Sequence, residues 1–115
     1  MREQYKLVFY VPVEAAEGVK AAVFATGAGR LGQYEQCCFE TLGQGQFRPL
    51  AGAQPHLGSV GQLEQVAELK VELLCAAEHL GAAIHALQQA HPYEEPAFEV
   101  LALVDWRLYL PNASD

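Results

Sequence analysis

The stretch His91-Pro92-Tyr93-Glu94-Glu95-Pro96 joins a predicted helix, residues 78–90, to a predicted strand, residues 98–104. Pro92 has no amide hydrogen and pushes His91 toward extended geometry, so the helix cannot continue through it. Pro96 restricts Glu95 in the same way where the strand begins. The stretch therefore marks a helix-to-strand junction that carries an imidazole, a phenol and two carboxylates.

The N-terminal part of the chain has the pattern strand, helix, strand. Residues 7–13 are rich in β-branched and aromatic side chains and predict a strand. Residues 14–26 predict a helix, with Ala15, Val19, Ala22 and Val23 on its apolar stripe. Gly27-Ala28-Gly29 ends this helix, and residues 34–42 predict a second strand.

The C-terminal part repeats the pattern after a long glycine-rich connection. Residues 43–64 show weak periodicity, and a connection of this length is typically functional, mobile or braced by a neighbouring subunit. Residues 47–50 could add a short edge strand. Residues 67–75 alternate between apolar and charged side chains, which predicts a strand with one wet face. The helix at 78–90 and the apolar strand at 98–104 then follow.

This order predicts an α+β fold, a ferredoxin-like βαββαβ sandwich in which two helices cover one face of an antiparallel sheet. The first and last strands are apolar on both faces, so their second face needs another cover. We expect self-association to provide it. The apolar residues of the tail, 105–115, could form a small strand that crosses to a neighbour.

Composition narrows the class of protein. The 115 residues predict one domain, and 14 acids against 7 bases give a net charge of −7, which argues against nucleic-acid or anionic-membrane partners. No apolar run approaches the ~20 residues that span a bilayer. The N-terminus lacks the pattern of an export signal, and three cysteines are an odd number. We expect reduced thiols in a cytoplasmic protein.

Three ordered motifs carry a resemblance to a known family. Residues 27–39, GAGRLGQYEQCCF, resemble the pattern G-x-G-x-[IL]-G-x-Y-x-x-C-[SC]-F, and residues 43–55, GQGQFRPLAGAQP, resemble its continuation G-x-G-x-F-x-P-x-x-G-x-x-P. Together with His-Pro-Tyr-Glu-Glu-Pro, they resemble the YqfO-type insert domain of the Nif-three-like proteins over a core of about residues 5–104.

The resemblance implies a PII/CutA-like fold and a tight homotrimer whose sheets face inward. It also implies an insert without the metal-binding core of the full-length proteins, and hence without the activity of that core. We therefore expect a non-enzymatic module that binds a small ligand or divalent metal at subunit clefts, or that serves as an assembly or regulatory domain for a protein partner. The alternative is a metal-assisted hydrolase related to the Nif-three-like proteins.

The candidate metal ligands are His91, Glu94, Glu95 and Cys37, because imidazole, carboxylate and thiolate suit divalent metals. The plainer alternative for His91 is a junction clamp near the buried helix stripe, where the helix dipole would favour a protonated imidazole. Cys37 and Cys38 would face opposite sides of a strand, so a shared metal needs several copies around a symmetry axis.

The candidate ligand-binding residues are Tyr34, Arg48 and Tyr93, which are in the resembling motifs, and His56, which directly follows the second motif. Arg48 and His56 are the only basic side chains of the long connection, so we expect weak phosphate affinity there. The glycine spacing at 27–32 is that of a dinucleotide fingerprint. It follows a helix and precedes a strand, however, which is the reverse of the order that a nucleotide motif needs.

Overall fold

The computed structural model describes residues 3–112, which form one four-stranded antiparallel sheet and two α-helices. The elements in chain order are β1 (Gln4–Pro12), α1 (Ala16–Phe24), β2 (Phe39–Phe47), β3 (Glu64–Ala76), α2 (Ala77–Ala90) and β4 (Phe98–Leu103). The strand order is β2-β3-β1-β4, and every neighbouring pair is antiparallel. The predicted α+β ferredoxin-like fold is confirmed.

The core lies between the helices and one face of the sheet. Alternate residues of the two central strands point into it, because successive strand side chains face opposite sides. The largest buried members are Leu7, Phe9 and Val11 of β1, Val71, Leu73 and Cys75 of β3, Val19 and Val23 of α1, and Leu87 of α2. This cluster fixes the register of β1 on β3, since a slip of one residue would turn every apolar side chain outward.

Within residues 3–112 both α-helices pack on the core side, and we call the opposite face of the sheet the helix-free face. Two rows of paired residues cross this face from β4 through β1 to β3. One row is Leu101, Lys6 and Leu74, and the next is Glu99, Val8 and Glu72. Lys6 Nζ pairs with Glu72 Oε1 at 2.6 Å, and Val8 is buried. Three large side chains on this face, Phe39, Leu101 and Leu103, are exposed.

The second strand differs from its prediction. It begins at Phe39 rather than at residue 34, and Tyr34 instead forms an isolated bridge with Leu31. The strand continues through Gly43 and Gly45 to Phe47, in a segment whose composition predicted a loop. Its backbone bonds to β3 hold it extended without side-chain periodicity. The predicted short strand at 47–50 is wrong, since only Phe47 is in a strand.

β2 and β3 extend beyond the rest of the sheet as a two-stranded arm. The pairing of β1 with β3 stops at Pro12 and Glu68, whereas β2 remains paired with β3 as far as Glu64. The connection between them, residues 48–63, is closed at its base by a hydrogen bond from Gly61 N–H to the Pro49 carbonyl oxygen at 2.8 Å. A free two-stranded arm has little stability, so it needs contacts with the body of the protein.

The tail after β4 does not form the predicted strand. Trp106–Tyr109 is a short 3₁₀ helix, and the Asp105 side chain accepts a hydrogen bond from the Arg107 N–H at 3.0 Å. This local capping bond competes with extended geometry. The last part of the predicted tail, residues 113–115, lies outside the described residues, as do residues 1–2. Neither helix between residues 3 and 112 has the length and apolar character needed to cross a membrane.

Candidate functional site

The His91–Pro96 stretch begins at the C-terminal end of α2, which fixes its starting position. His91 N–H donates to the Leu87 carbonyl oxygen at 2.9 Å, and His91 itself is extended, with ψ 136°. Pro92 accounts for that geometry, because its ring disfavours a helical residue before it. The chain then turns from the helix layer toward the helix-free face, where Tyr93 contacts Glu68 of β3.

His91 is a buried clamp, 6 % exposed, and both of its ring nitrogens are occupied. Nδ1 accepts from the Tyr93 N–H at 3.1 Å, so Nε2 carries the proton and donates to the Tyr10 carbonyl oxygen at 2.7 Å. Burial lowers the pKa of His91 below its ordinary value. The prediction of a protonated imidazole is therefore wrong: the ring is neutral, because its Nδ1 lone pair is an acceptor.

Tyr93 is the centre of the site. Its hydroxyl donates to Glu68 Oε2 at 2.9 Å, and its ring lies 5.0 Å from the His91 ring, 5.7 Å from the Phe47 ring and 6.3 Å from the His56 ring. Burial, followed by the hydrogen bond to Glu68, raises the pKa of the Tyr93 phenol. Residues from four separate parts of the chain thus hold one aromatic ring in place.

Gly45 makes room for the Glu68 carboxylate. A Cβ at Gly45 would overlap the Glu68 side chain, which lies over β2 in the space left by the missing side chain. From there Glu68 reaches the Tyr93 hydroxyl. The glycine of the second motif and the tyrosine of the third are therefore parts of the same arrangement.

A cleft of about 310 Å³ opens beside Tyr93, and we call it the Tyr93 cleft. It lies between the arm and the His91–Pro96 stretch. The Glu94 carboxylate accepts from the Gln54 N–H at 3.0 Å, which fastens the long connection across the cleft. The charged and aromatic residues that line it are Tyr10, Phe47, Arg48, His56, Glu68, Tyr93, Glu94 and Glu95.

The structure brings most of the predicted ligand-binding residues together. Arg48, His56 and Tyr93 all line the Tyr93 cleft, whereas Tyr34 does not. Tyr34 lies in the turn after α1 and is 74 % exposed. Ligand binding by the first three stays a prediction, and the geometry groups them at one cleft.

The predicted metal ligands are not brought together. Glu94 and Glu95 line the Tyr93 cleft and His91 lies beside it, but Cys37 lines a separate cleft of about 320 Å³ with Cys38, Lys6 and Arg30. Across residues 3–112, no three His, Cys, Asp or Glu side chains are placed to hold one metal ion. A metal site on these residues stays a prediction without an assembled ligand set in one chain.

The two adjacent cysteines differ from their prediction as well. Cys37 and Cys38 precede β2 rather than lying within it, and both line the second cleft. Cys75 is buried in the core, where burial raises the pKa of its thiol, and all three cysteines are free. Burial also raises the pKa of Cys38.

Sequence reasoning missed Glu68, Tyr10 and Gly45. Glu68 belongs to the alternating polar residues of β3, which predict a solvated face, and nothing local distinguishes it from its neighbours. The usable signal was the pair of glycines at 43 and 45 in a strand-length segment, since a glycine within a strand often marks close approach of another group.

The fold defines the class of protein. The chain superimposes on CutA from Synechococcus elongatus with a TM-score of 0.62 and 25 % identity, over 90 % of this chain and 80 % of that one. CutA from Ehrlichia chaffeensis gives a TM-score of 0.65 at 14 % identity, which is a likeness of fold alone. The architecture is thus that of the CutA/PII-like α+β proteins.

More specific similarity is to segments of larger proteins. The chain is 50 % identical over 99 residues to a GTP cyclohydrolase 1 type 2 homolog from Mycobacterium leprae. It also superimposes on a Bacillus cereus protein related to NIF3, with a TM-score of 0.77 and 39 % identity over 90 % of this chain. The chain spans 26 % of the length of each of these two proteins. No protein-family model matches it.

Proposed function

We propose that this chain is a non-enzymatic PII/CutA-like module of the insert type found in Nif-three-like proteins. It assembles into a homotrimer through the helix-free face and offers the Tyr93 cleft to a small ligand. The similarity to segments of NIF3-related proteins and the CutA-like fold support the module. The trimer follows from the resemblance of the three motifs.

The observation that carries the proposal is the uncovered apolar surface of the helix-free face. Phe39 is 69 % exposed and Leu101 is 48 % exposed, although both are strand residues in a sheet whose other face carries the helices and the core. Burying one such side chain contributes about 1.5–3 kcal/mol. β2 and β4 are also the edges of the sheet. A second copy of the chain would cover both features.

The role at the cleft is binding rather than catalysis. A catalytic zinc site commonly needs three protein ligands, and no such set is assembled within residues 3–112 of one chain. His91 uses both ring nitrogens structurally. The alternative, a metal-assisted hydrolase, therefore has less support, and the name of the Mycobacterium leprae relative describes a protein of which this chain matches only 26 %.

A cytoplasmic location and an assembly or regulatory role toward a protein partner belong to the same proposal. Three free cysteines suit a reducing compartment. The net charge of −7 suits a partner other than nucleic acid.

Light scattering over a range of concentrations tests the assembly. We expect the mass of a trimer for the natural chain and a lower mass for Leu101→Asp, because a charge on the helix-free face opposes burial. Leu42→Asp is the matched control, since Leu42 is an exposed residue of β2 on the other face. A monomer at every concentration would overturn the proposal.

Metal analysis of the same preparations distinguishes the non-enzymatic module from the alternative, a metal-assisted hydrolase. A non-enzymatic module is expected to keep its trimer mass when treated with a chelator. The Glu94→Gln, Glu95→Gln double variant is expected to remain folded. Stoichiometric metal that this double variant fails to retain would favour the hydrolase.

A further inference from the structure

We propose that the Tyr93 cleft binds a small organic cation, an ammonium or guanidinium group carried on an apolar body. This inference rests on the proposed ligand-binding role of the same cleft and names the class of ligand. It is drawn from the shape, walls and charge of the cleft.

The size and walls of the cleft suit a compact molecule with an apolar body. Its volume, about 310 Å³, is at the lower end of the range of small-molecule sites. The rings of Phe47 and Tyr93 and the side chain of Pro55 line it. Such walls favour an apolar group.

The charges of the cleft select the sign of the ligand. Three carboxylates line it, from Glu68, Glu94 and Glu95, against one guanidinium, from Arg48. A cleft with apolar walls concentrates the field of its charges, so a cation is drawn in and an anion is repelled. Glu95 is exposed and has no hydrogen-bond or ion-pair partner in the part of the chain that the structure describes, so its carboxylate is free to meet a ligand.

The aromatic rings add to this preference. A cation over the face of a tyrosine or phenylalanine ring is stabilised by the negative face of the ring. The Tyr93 hydroxyl donates to Glu68 and the Tyr93 N–H donates to His91 Nδ1, so little ordering of the ring is needed on binding.

Arg48 provides a test of whether the ligand is a cation or an anion. It lines the cleft and is exposed, and no acid pairs with it among residues 3–112. For a cationic ligand, removing Arg48 removes a repulsion and removing the charge of Glu95 removes an attraction. For an anionic ligand, both effects reverse.

The experiment compares three probes of similar shape, benzylammonium, benzyl alcohol and benzoate, by calorimetry and by NMR of the full chain. We expect benzylammonium to bind most tightly and to perturb the Tyr93 resonances. Arg48→Ala is expected to tighten its binding about two- to five-fold and Glu95→Gln to weaken it by a similar factor. Glu35→Gln, which changes the net charge equally outside the cleft, should leave the affinity unchanged.

The outcomes separate this inference from the function on which it rests. Preferred binding of benzoate, lost in Arg48→Ala, would overturn the cation and keep the ligand site. If benzyl alcohol bound as tightly as benzylammonium, shape alone would select the ligand, and the cation inference would also be overturned. If no probe binds at up to about 10 mM while light scattering still shows a trimer, the cation inference fails and the assembly stands.

Discussion

The carboxylate of Glu68 lies over Gly45, in the space that a Cβ on that residue would occupy. The two residues are on neighbouring strands, and Glu68 also accepts the hydrogen bond of the Tyr93 hydroxyl. A glycine in the arm therefore controls the position of a tyrosine that follows α2. The first prediction tests this dependence.

Gly45→Ala is expected to displace the Glu68 side chain and break its hydrogen bond with Tyr93. The free energy of unfolding should fall by about 1 kcal/mol, because a partly buried hydroxyl loses its acceptor. Gly43→Ala is the matched control: it is on the same face of β2, and a Cβ there meets nothing within 4 Å. Urea denaturation of both variants measures the difference.

The cost of Gly45→Ala should shrink in a Tyr93→Phe background, where the hydrogen bond is already absent. A double-mutant cycle isolates this coupling. An equal cost in both backgrounds would mean that Glu68 and Tyr93 are not linked through Gly45.

His91 is expected to make stability depend on pH. Burial lowers its pKa in the folded chain, whereas the unfolded chain takes up a proton as the pH falls through about 6.5. The contribution of His91 is therefore complete above that pH and is lost as the pH falls toward the lower pKa of the folded state. Denaturation at about pH 7.5 and pH 5.5 should show a smaller change for His91→Gln than for the natural chain.

His85→Gln is the control for this effect, because His85 is an exposed residue of α2. It should keep the pH dependence of the natural chain. If His91→Gln keeps it too, the neutral clamp is wrong.

Lys20 joins α1 to β2 by two ion pairs of 2.9 Å, with Glu17 and Glu40, and both hydrogen bonds raise its pKa. Glu17 is 82 % exposed, so water screens its pair, whereas Glu40 makes the contact between elements. We expect Glu40→Gln to lower the free energy of unfolding by about 0.5–1 kcal/mol and Glu17→Gln by only a few tenths. Thermal denaturation measures both variants, and equal shifts of their melting temperatures would contradict this prediction.

Gly27 lies in the turn after α1 in a conformation that alanine would strain, with φ 101°, and a Cβ there would lie 2.9 Å from the His79 ring. Gly32 also has positive φ, 57°, but open space around it. Gly27→Ala should therefore cost clearly more than Gly32→Ala, for which a strain of about 1–2 kcal/mol is expected. Equal losses in chemical denaturation would show that the contact with His79 is unimportant.

Much of the fold could be predicted because its signals are local. Alternation in residues 67–75, the helical stripe that includes Leu87, and the prolines at 92 and 96 each act within a few residues along the chain. The main error was β2, since Gly43 and Gly45 have no side chains with which to show a period. Pairing with β3 decides that segment, and strand pairing is not a local property.

The candidate site was predicted in part for the same reason. Arg48 and Tyr93 are in motifs and His56 directly follows one, and the structure places all three at one cleft. Cys37 and Tyr34 are in motifs too, yet the turn after α1 puts them elsewhere. Sharing a motif does not establish that two side chains meet.

The order of the elements, the helix-to-strand junction at His91 and the apolar surplus of the sheet could be predicted from residues close together in the chain, because backbone restriction and hydrophobic periodicity are local properties. The protonation of His91, the position of Glu68 over Gly45 and the grouping of charges at the Tyr93 cleft became visible in the folded arrangement alone. Each of these depends on atoms that are far apart in the chain and meet only when the sheet has formed.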